Sequence, residues 1–482
     1  MKKILVMLLV LGLALGAVAC AGTPAATTGA APEVTDAPAT EAPTDAPTEA
    51  PVEETEAPVE ETEAPATEAA VEETEAPAVE GGVEAEISVQ VEEAWEGYYD
   101  EAIARVLEKN PDAVINKIVI GSFEHFDILS STDATNPDFA DVFAMPADRL
   151  AGLHKNDVLA AIDSQRMAAT VGGFDDYDAG LGGNFMIEGE YFAFPMNIET
   201  LILFGNKANL EASEIVLDAP IELIGNEEKV LLPLFDAWFG VAATNSSDIE
   251  LLGKDENGEL YSDMTLAWED LPAEKQATIE ALYEYWKYNN EANTSLFDAD
   301  SGWGYIDEEF KSEGGSIIRL GGPWETGSNT ELAGEGNVDV FPISMLTVAE
   351  KPLRHWKGGW GLAINARVEE NEDQMELAHQ LIEEIMNTEY AVDFFRSAGK
   401  IMENVPVDVY LASDLSDSDK AVISAVIASY AEAPLRPLFE EWGQVWDTYK
   451  NGILSWNNVK PESVEDAYNE LKSSFEAMMG NF

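Results

Sequence analysis

Beyond residue 86 the apolar positions of this chain recur with two different periods. Ile87-Ser88-Val89-Gln90-Val91 alternates apolar and polar residues, the period of a strand with one buried face. Ile118-Val119-Ile120 and Ile317-Ile318-Arg319-Leu320 are short apolar runs closed by glycine and also read as strands. Ile279, Leu282, Tyr283 and Trp286 fall at i, i+3, i+4 and i+7, and Leu377, Ala378, Leu381, Ile382, Ile385 and Met386 form a similar stripe. Both segments are expected to be amphipathic helices that pack one face on a core. A last helix is predicted to open at Ser463, with Asp466 three residues on as in a capping box and Val464, Ala467, Tyr468, Leu471, Phe475 and Met478 turned inward. Strand-like and helix-like segments alternate, so the fold class is α/β.

The first 86 residues follow neither period. Lys2 and Lys3 precede an apolar run from Ile4 to Ala19 and then Cys20, the layout of a secretory signal peptide. The run falls short of the roughly 20 residues that span a bilayer. Ala17, Ala19, Cys20, Ala21 and Gly22 resemble a bacterial lipoprotein box, which implies that Cys20 is lipidated and becomes the mature N-terminus. From Ala21 to about Glu86 the chain is Ala, Thr, Pro and Glu, with Val-Glu-Glu-Thr-Glu-Ala-Pro at Val52–Pro58, Val59–Pro65 and Val71–Pro77. A proline in every repeat argues against a coiled coil. With 18 acidic and no basic residues, the stretch is expected to be an extended, disordered tether.

Charge narrows the function. The 482-residue chain has 92 acidic and 26 basic residues, a net −66; setting aside the two signal lysines and the tether acids leaves 24 basic against 74 acidic, −50, for residues 87–482. Such a surface repels phosphate backbones and anionic headgroups, which excludes nucleic acid as a partner and leaves the lipid anchor as the expected contact with the membrane. A single cysteine excludes an internal disulfide.

Motifs for catalysis or metal binding are missing. His125, His154, His355 and His379 lie far apart, with no second His or Cys at zinc-ligand spacing. Gly302-Trp303-Gly304 and Gly180-Leu181-Gly182-Gly183 are glycine fragments with no following helix signature. Asp255-Glu256-Asn257-Gly258 resembles a calcium loop, but the first and twelfth positions of an EF-hand would be Gly253 and Met264, so a hairpin turn is the better reading. What stands out is a set of aromatic and polar residues assigned to strand ends and turns: Trp95, Tyr98, Asp148, Arg149, Glu199, Trp303, Trp324, Trp360, Trp442 and Trp446. Sugars are held by such sets, their C–H faces on rings and their hydroxyls on charged groups.

Four blocks resemble the solute-binding proteins of ABC sugar importers, of the maltose/maltodextrin-binding type. They are Asp141–Leu150, Tyr191–Leu201, Arg319–Trp324 with its Gly-Gly-Pro-Trp, and Gly358–Asn365, with Phe439-Glu440-Glu441-Trp442 further on. The resemblance implies that Asp148, Arg149 and Glu199 hydrogen-bond sugar hydroxyls and that Trp324 and Trp442 stack on the rings. Three positions depart from the family: Met145 replaces a stacking tryptophan, Glu96 beside Trp95 replaces a lysine, and Asn226-Glu227-Glu228-Lys229 replaces an acidic-Pro-aromatic segment. Trp95, Glu96 and Met145 are nevertheless expected near the ligand.

The resemblance further implies a two-lobe periplasmic-binding-protein-like fold with a hinge and a ligand cleft. The first lobe is expected over 87–198 plus 350–404 and the second over 199–349 plus 405–482. The function implied is a lipid-anchored monomer outside the cytoplasmic membrane, neither an enzyme nor a cofactor protein, that captures a carbohydrate by lobe closure and delivers it to ABC permease subunits. A polyol binder, a sensor without a permease and a glycan-active surface lipoprotein are the alternatives.

Overall fold

The computed structural model describes residues 82–174, 176–255, 257–311 and 315–482. The leader 1–20 with Cys20, and the tether as far as residue 81, lie outside the described residues. The tether ends sooner than its composition suggested: the Val83 N–H donates to Asn110 Oδ1 at 2.7 Å, and Glu86 opens the first strand.

Two sheets organise the rest. The first holds β1 (Glu86–Val91), β2 (Val114–Val119), β3 (Val142–Pro146) and β4 (Ala193–Glu199). The second holds β5 (Ile202–Asn206), β6 (Val230–Leu231), β7 (Ile318–Gly321) and β8 (Val338–Pro342), and β9 (Gly358–Ile364) returns to the first. Strand order is β2-β1-β3-β9-β4 in the first sheet and β8-β5-β7-β6 in the second. β1 runs parallel to β2 and β3, whereas β9 is antiparallel to both of its neighbours. Only Thr200 and Leu201 separate β4 from β5, so the chain crosses between the sheets in one short step.

The predicted helices form where their apolar stripes can be buried. Helix Glu96–Lys109 packs beside helix Glu372–Ile385, and the Tyr98 hydroxyl donates to the Ile385 carbonyl at 2.6 Å. Burial raises the Glu384 carboxyl, but Lys109 at 2.7 Å and Arg105 at 2.8 Å outweigh it and hold the group below its ordinary range. Beside the second sheet, helix Ala273–Glu291 meets the C-terminal pair Val445–Val459 and Val464–Met479 through Tyr283, Trp286 and Trp456. Trp286 Nε1 donates to Asn457 at 3.0 Å and Trp456 Nε1 to the Ala467 carbonyl at 2.9 Å, so both indoles are buried with their polar edges satisfied. Ser463 caps the last helix, its hydroxyl accepting from the Asp466 N–H at 3.1 Å.

Several local readings change. Gly302 does not belong to an isolated glycine fragment: it opens a nine-residue helix, Gly302–Phe310, which carries Trp303 against Phe235 and Phe239. Tyr98 and Trp446 likewise lie within helices rather than at strand ends. Gly180–Gly183 leads into a short 3-10 turn, Leu181–Phe185. The calcium-loop look-alike closes a hairpin: Gly253–Lys254 pairs antiparallel with Leu260–Tyr261, the Gly258 N–H donates to the Asp255 carbonyl at 2.9 Å, and Gly258 takes φ +80°, which glycine adopts at no steric cost.

Candidate functional site

The strand ends of the first sheet present charge. After Pro146 closes β3, a turn over Ala147–Arg149 leads directly into helix Leu150–Lys155, which leaves Asp148 and Arg149 exposed at the carboxyl end of the strand. That end is where open α/β sheets bind ligands. Met145, one residue inside the strand, is fully buried opposite Gly361, so it contributes to the core rather than to an exposed platform.

Facing this turn is a segment from the other end of the chain. Arg436 donates to Asp148 Oδ2 at 2.9 Å, and Lys155 reaches Glu440 at 2.8 Å. The Arg436 guanidinium lies over Trp238, Trp356 and Trp446, 5.0, 5.6 and 5.9 Å from their ring centroids. Cation–π attraction of this kind holds a buried cation in place while Asp148 supplies the counter-charge. Trp442 belongs to the same cluster, 4.9 Å from Trp356 and 4.7 Å from Trp446; it is 4 % exposed, and among the described residues its Nε1 has no hydrogen-bond partner. His355 packs against Trp238 and Trp356, 4.4 and 5.4 Å between ring centroids, and donates from Nε2 to the Trp238 carbonyl at 3.0 Å; burial pushes this imidazole down to about 3, with Arg436 adding to the effect. Between the two segments is a cavity of about 590 Å3, lined among others by Asp148, Arg149, Arg436, Phe439, Trp442 and Trp446.

A second group gathers at the crossing. Glu199 ends β4; burial raises its carboxyl, while the cations of Lys400 and Arg436 oppose that rise. The Ile198 N–H donates to the Ile401 carbonyl at 3.0 Å in an antiparallel bridge, which sets Lys400 across from Glu199. The Lys400 Nζ lies 5.1 Å from the Trp360 ring and 5.5 Å from that of Trp95, and Phe123, 59 % exposed, meets Trp360 edge-on at 5.4 Å. Glu96 points elsewhere, to Lys117 at 2.7 Å.

Trp324 stands apart. It follows β7 in the turn Pro323–Glu325 and is 52 % exposed. A Cβ on Gly322 would meet its indole at 2.2 Å, so the ring packs against this glycine and would have to move aside for any larger residue. Glu325 fixes the turn: it accepts from the Gly322 N–H at 3.3 Å and from Arg319 at 2.9 Å, while Arg319 also reaches Asp307 at 2.8 Å.

Of the residues singled out from sequence, Asp148, Arg149, Trp442 and Trp446 line the cavity; Glu199 does not line it and is linked to them by the charge of Arg436. Trp95 lies at the Lys400 group, whereas Trp324, Glu96 and Met145 do not line the cavity. Sequence reasoning missed Arg436, Lys400 and Phe123. A cation between Pro434 and Pro437 in so acidic a chain was a usable signal for Arg436; Lys400 and Phe123 carried none. Among the described residues no cluster of three or more His, Cys, Asp or Glu side chains could hold a metal ion.

This arrangement offers apolar ring faces beside alternating hydrogen-bond donors and acceptors, which suits a polyhydroxylated ligand of low charge. No family model matches the chain. It is 24% identical over 416 residues to maltodextrin-binding protein MdxE of Bacillus subtilis (strain 168), a match covering 80% of this chain and 89% of the relative. It superposes on the maltose-binding periplasmic protein MalE of Listeria monocytogenes, solved in complex with maltose, with TM-score 0.62 and 18% identity over 83% of this chain and 99% of that one. The chain has the two-lobe fold of the maltodextrin-type solute-binding proteins. MalX of Streptococcus pneumoniae, solved in complex with maltopentaose, superposes with TM-score 0.60 and 18% identity over 81% of this chain and 99% of that one. In a two-lobe solute-binding fold the cavity beside Asp148 and Arg436 is the place to look for ligand, since it lies at strand ends where separate segments converge.

Proposed function

We propose that this protein is the substrate-binding subunit of an ABC importer and captures a maltodextrin-like carbohydrate. The observation that carries the reading is the cavity at which Asp148 and Arg149, from the end of β3, meet Arg436 and Trp442, from the C-terminal segment. The similarity to MdxE and to structures with maltose and maltopentaose supports a sugar as the ligand. The lobes are 87–198 plus 350–404 and 199–349 plus 405–482, a division supported by the membership of the two sheets. Ligand contacts from both lobes favour a closed form, and closure commits the solute to delivery.

Asp148, Arg149 and Glu199 recognise hydroxyls, and Trp324 and Trp442 present ring faces. Cys20 carries the lipid, and the acidic tether gives the binding domain reach from the outer face of the cytoplasmic membrane to permease subunits. The test is a titration of intrinsic tryptophan fluorescence against mono-, di- and oligosaccharides, with an amino acid and a polyol as controls. Saturable binding of maltodextrins without their consumption is expected. Binding of the polyol alone would replace the sugar by that ligand, and release of shorter sugars would make the protein an enzyme. Loss of fatty-acid labelling in Cys20→Ala is expected for the anchor; unchanged labelling would remove it.

A further inference from the structure

Among the described residues, Lys400 is a cation without an ion-pair partner. Within that set no carboxylate oxygen lies within 4.0 Å of its Nζ and the ammonium donates no hydrogen bond, although the charges of Glu199 and Glu92 both act on it. Its position is nevertheless tightly specified. Gly399 closes helix Ala391–Ala398 at φ +65°, the bridge between Ile198 and Ile401 pins the next residue, and Lys400 is left directly across from Glu199. Trp95 and Trp360 hold the ammonium at 5.5 and 5.1 Å and are themselves 3 % and 7 % exposed, so they steer the cation without using up its hydrogen-bonding capacity.

Three N–H donors left unspent beside a carboxylate form a complementary pair. One hydroxyl of a vicinal diol can accept from the ammonium while its neighbour donates to Glu199. Neither group alone distinguishes a diol from an isolated hydroxyl, whereas the two together do. The charges along this line alternate, from Asp148 to Arg436 to Glu199 to Lys400, which suits a neutral ligand bearing several hydroxyls better than an anionic one.

Resting on the sugar-binding reading above, we infer that Lys400 and Glu199 together form a diol clamp that reads adjacent hydroxyls on one sugar unit of the ligand, with Trp95 and Trp360 positioning the Lys400 ammonium.

The test measures maltotriose affinity by calorimetry for wild type, Lys400→Met and Lys400→Arg, and repeats it with monodeoxy maltotrioses, melting temperature being recorded throughout. A hydrogen bond to a charged group corresponds to a loss of about tenfold to a hundredfold in affinity when it is removed. Lys400→Met is expected to lose that factor with an unchanged melting temperature, and Lys400→Arg to recover part of it. One deoxy ligand is expected to bind wild type as weakly as maltotriose binds Lys400→Met, and to lose nothing further on the variant. Equal maltotriose binding by wild type and Lys400→Met would overturn the clamp alone. A loss equally large for every deoxy ligand on both proteins would assign Lys400 a structural role and overturn it too. Failure of wild type to bind any maltodextrin would overturn the sugar reading and the clamp with it. Were Lys400→Met not to fold, Lys400→Arg with an unchanged order of preference among the deoxy ligands would overturn the clamp.

Discussion

Trp324 and Trp442 both sit in short 3-10 turns that run into a helix, yet they are held in opposite ways. Trp324 lies half in solvent, packed on Gly322, with a turn braced by Glu325 and Arg319. Trp442 is buried among Trp356 and Trp446, with Arg436 and His355 completing the cluster. The first ring can be removed at little cost to the fold, because few protein atoms depend on it. The second belongs both to the core and to the cavity wall, so its contributions to stability and to binding are not separable by truncation.

The largest effect expected from this difference is on stability. Trp442→Ala should destabilise the protein by about 3–5 kcal/mol, the range for removing a large buried side chain, with a fall in denaturation midpoint. A midpoint within error of wild type would place Trp442 outside the core.

Acid should attack the same cluster. Burial pushes the His355 imidazole down to about 3 in the folded protein, against about 6.5 when unfolded, so between these values the native state binds fewer protons. Its contribution is complete above pH 6.5 and declines as pH falls toward 3, by on the order of 3 kcal/mol at pH 4. His125, pushed down to about 4 by burial, acts in the same direction. Melting curves between pH 7 and pH 4 should show the decline, and His355→Gln should flatten it; an unaltered slope would mean that other groups dominate.

Trp324→Ala should behave differently. Loss of a stacked ring costs about 1–3 kcal/mol of binding, whereas an exposed substitution usually shifts stability by about 0.5 kcal/mol or less. Affinity for maltotriose should fall while the melting temperature holds. Gly322→Val should mimic it, since the new side chain displaces the indole; full affinity in both variants would remove Trp324 from the ligand site. Smallest is the response to salt. With −50 net charge on residues 87–482, added sodium chloride should raise the melting temperature by screening self-repulsion, and a salt-indifferent curve would contradict that.

The contrast between the two tryptophans also marks how far the sequence could be read. The strand at Ile87–Val91, the helices around Trp286 and Leu377, and the cap at Ser463 were legible because each pattern is local and repeats along one element. The placement of Asp148 and Arg149 at a strand end was legible because they sit in one turn after an apolar strand. Arg436 over Trp238, and Lys400 across from Glu199, join residues about two hundred positions apart, and no local period records such a pairing. The burial of Trp442 is legible for the same reason only in part: Phe439–Trp442 is a local block, but Trp356 arrives from elsewhere. Gly302 misled because a helix can open on a glycine when Trp303 finds a core to enter.

In the proposed function, groups from both lobes close on one carbohydrate. Calorimetric titration of the protein with maltotriose tests it most directly. One-site saturable binding with a Kd in the micromolar range or tighter, and a negative heat-capacity change from ring burial, is the predicted result. No heat and no saturation at millimolar maltotriose, from a protein that melts cooperatively, would contradict it.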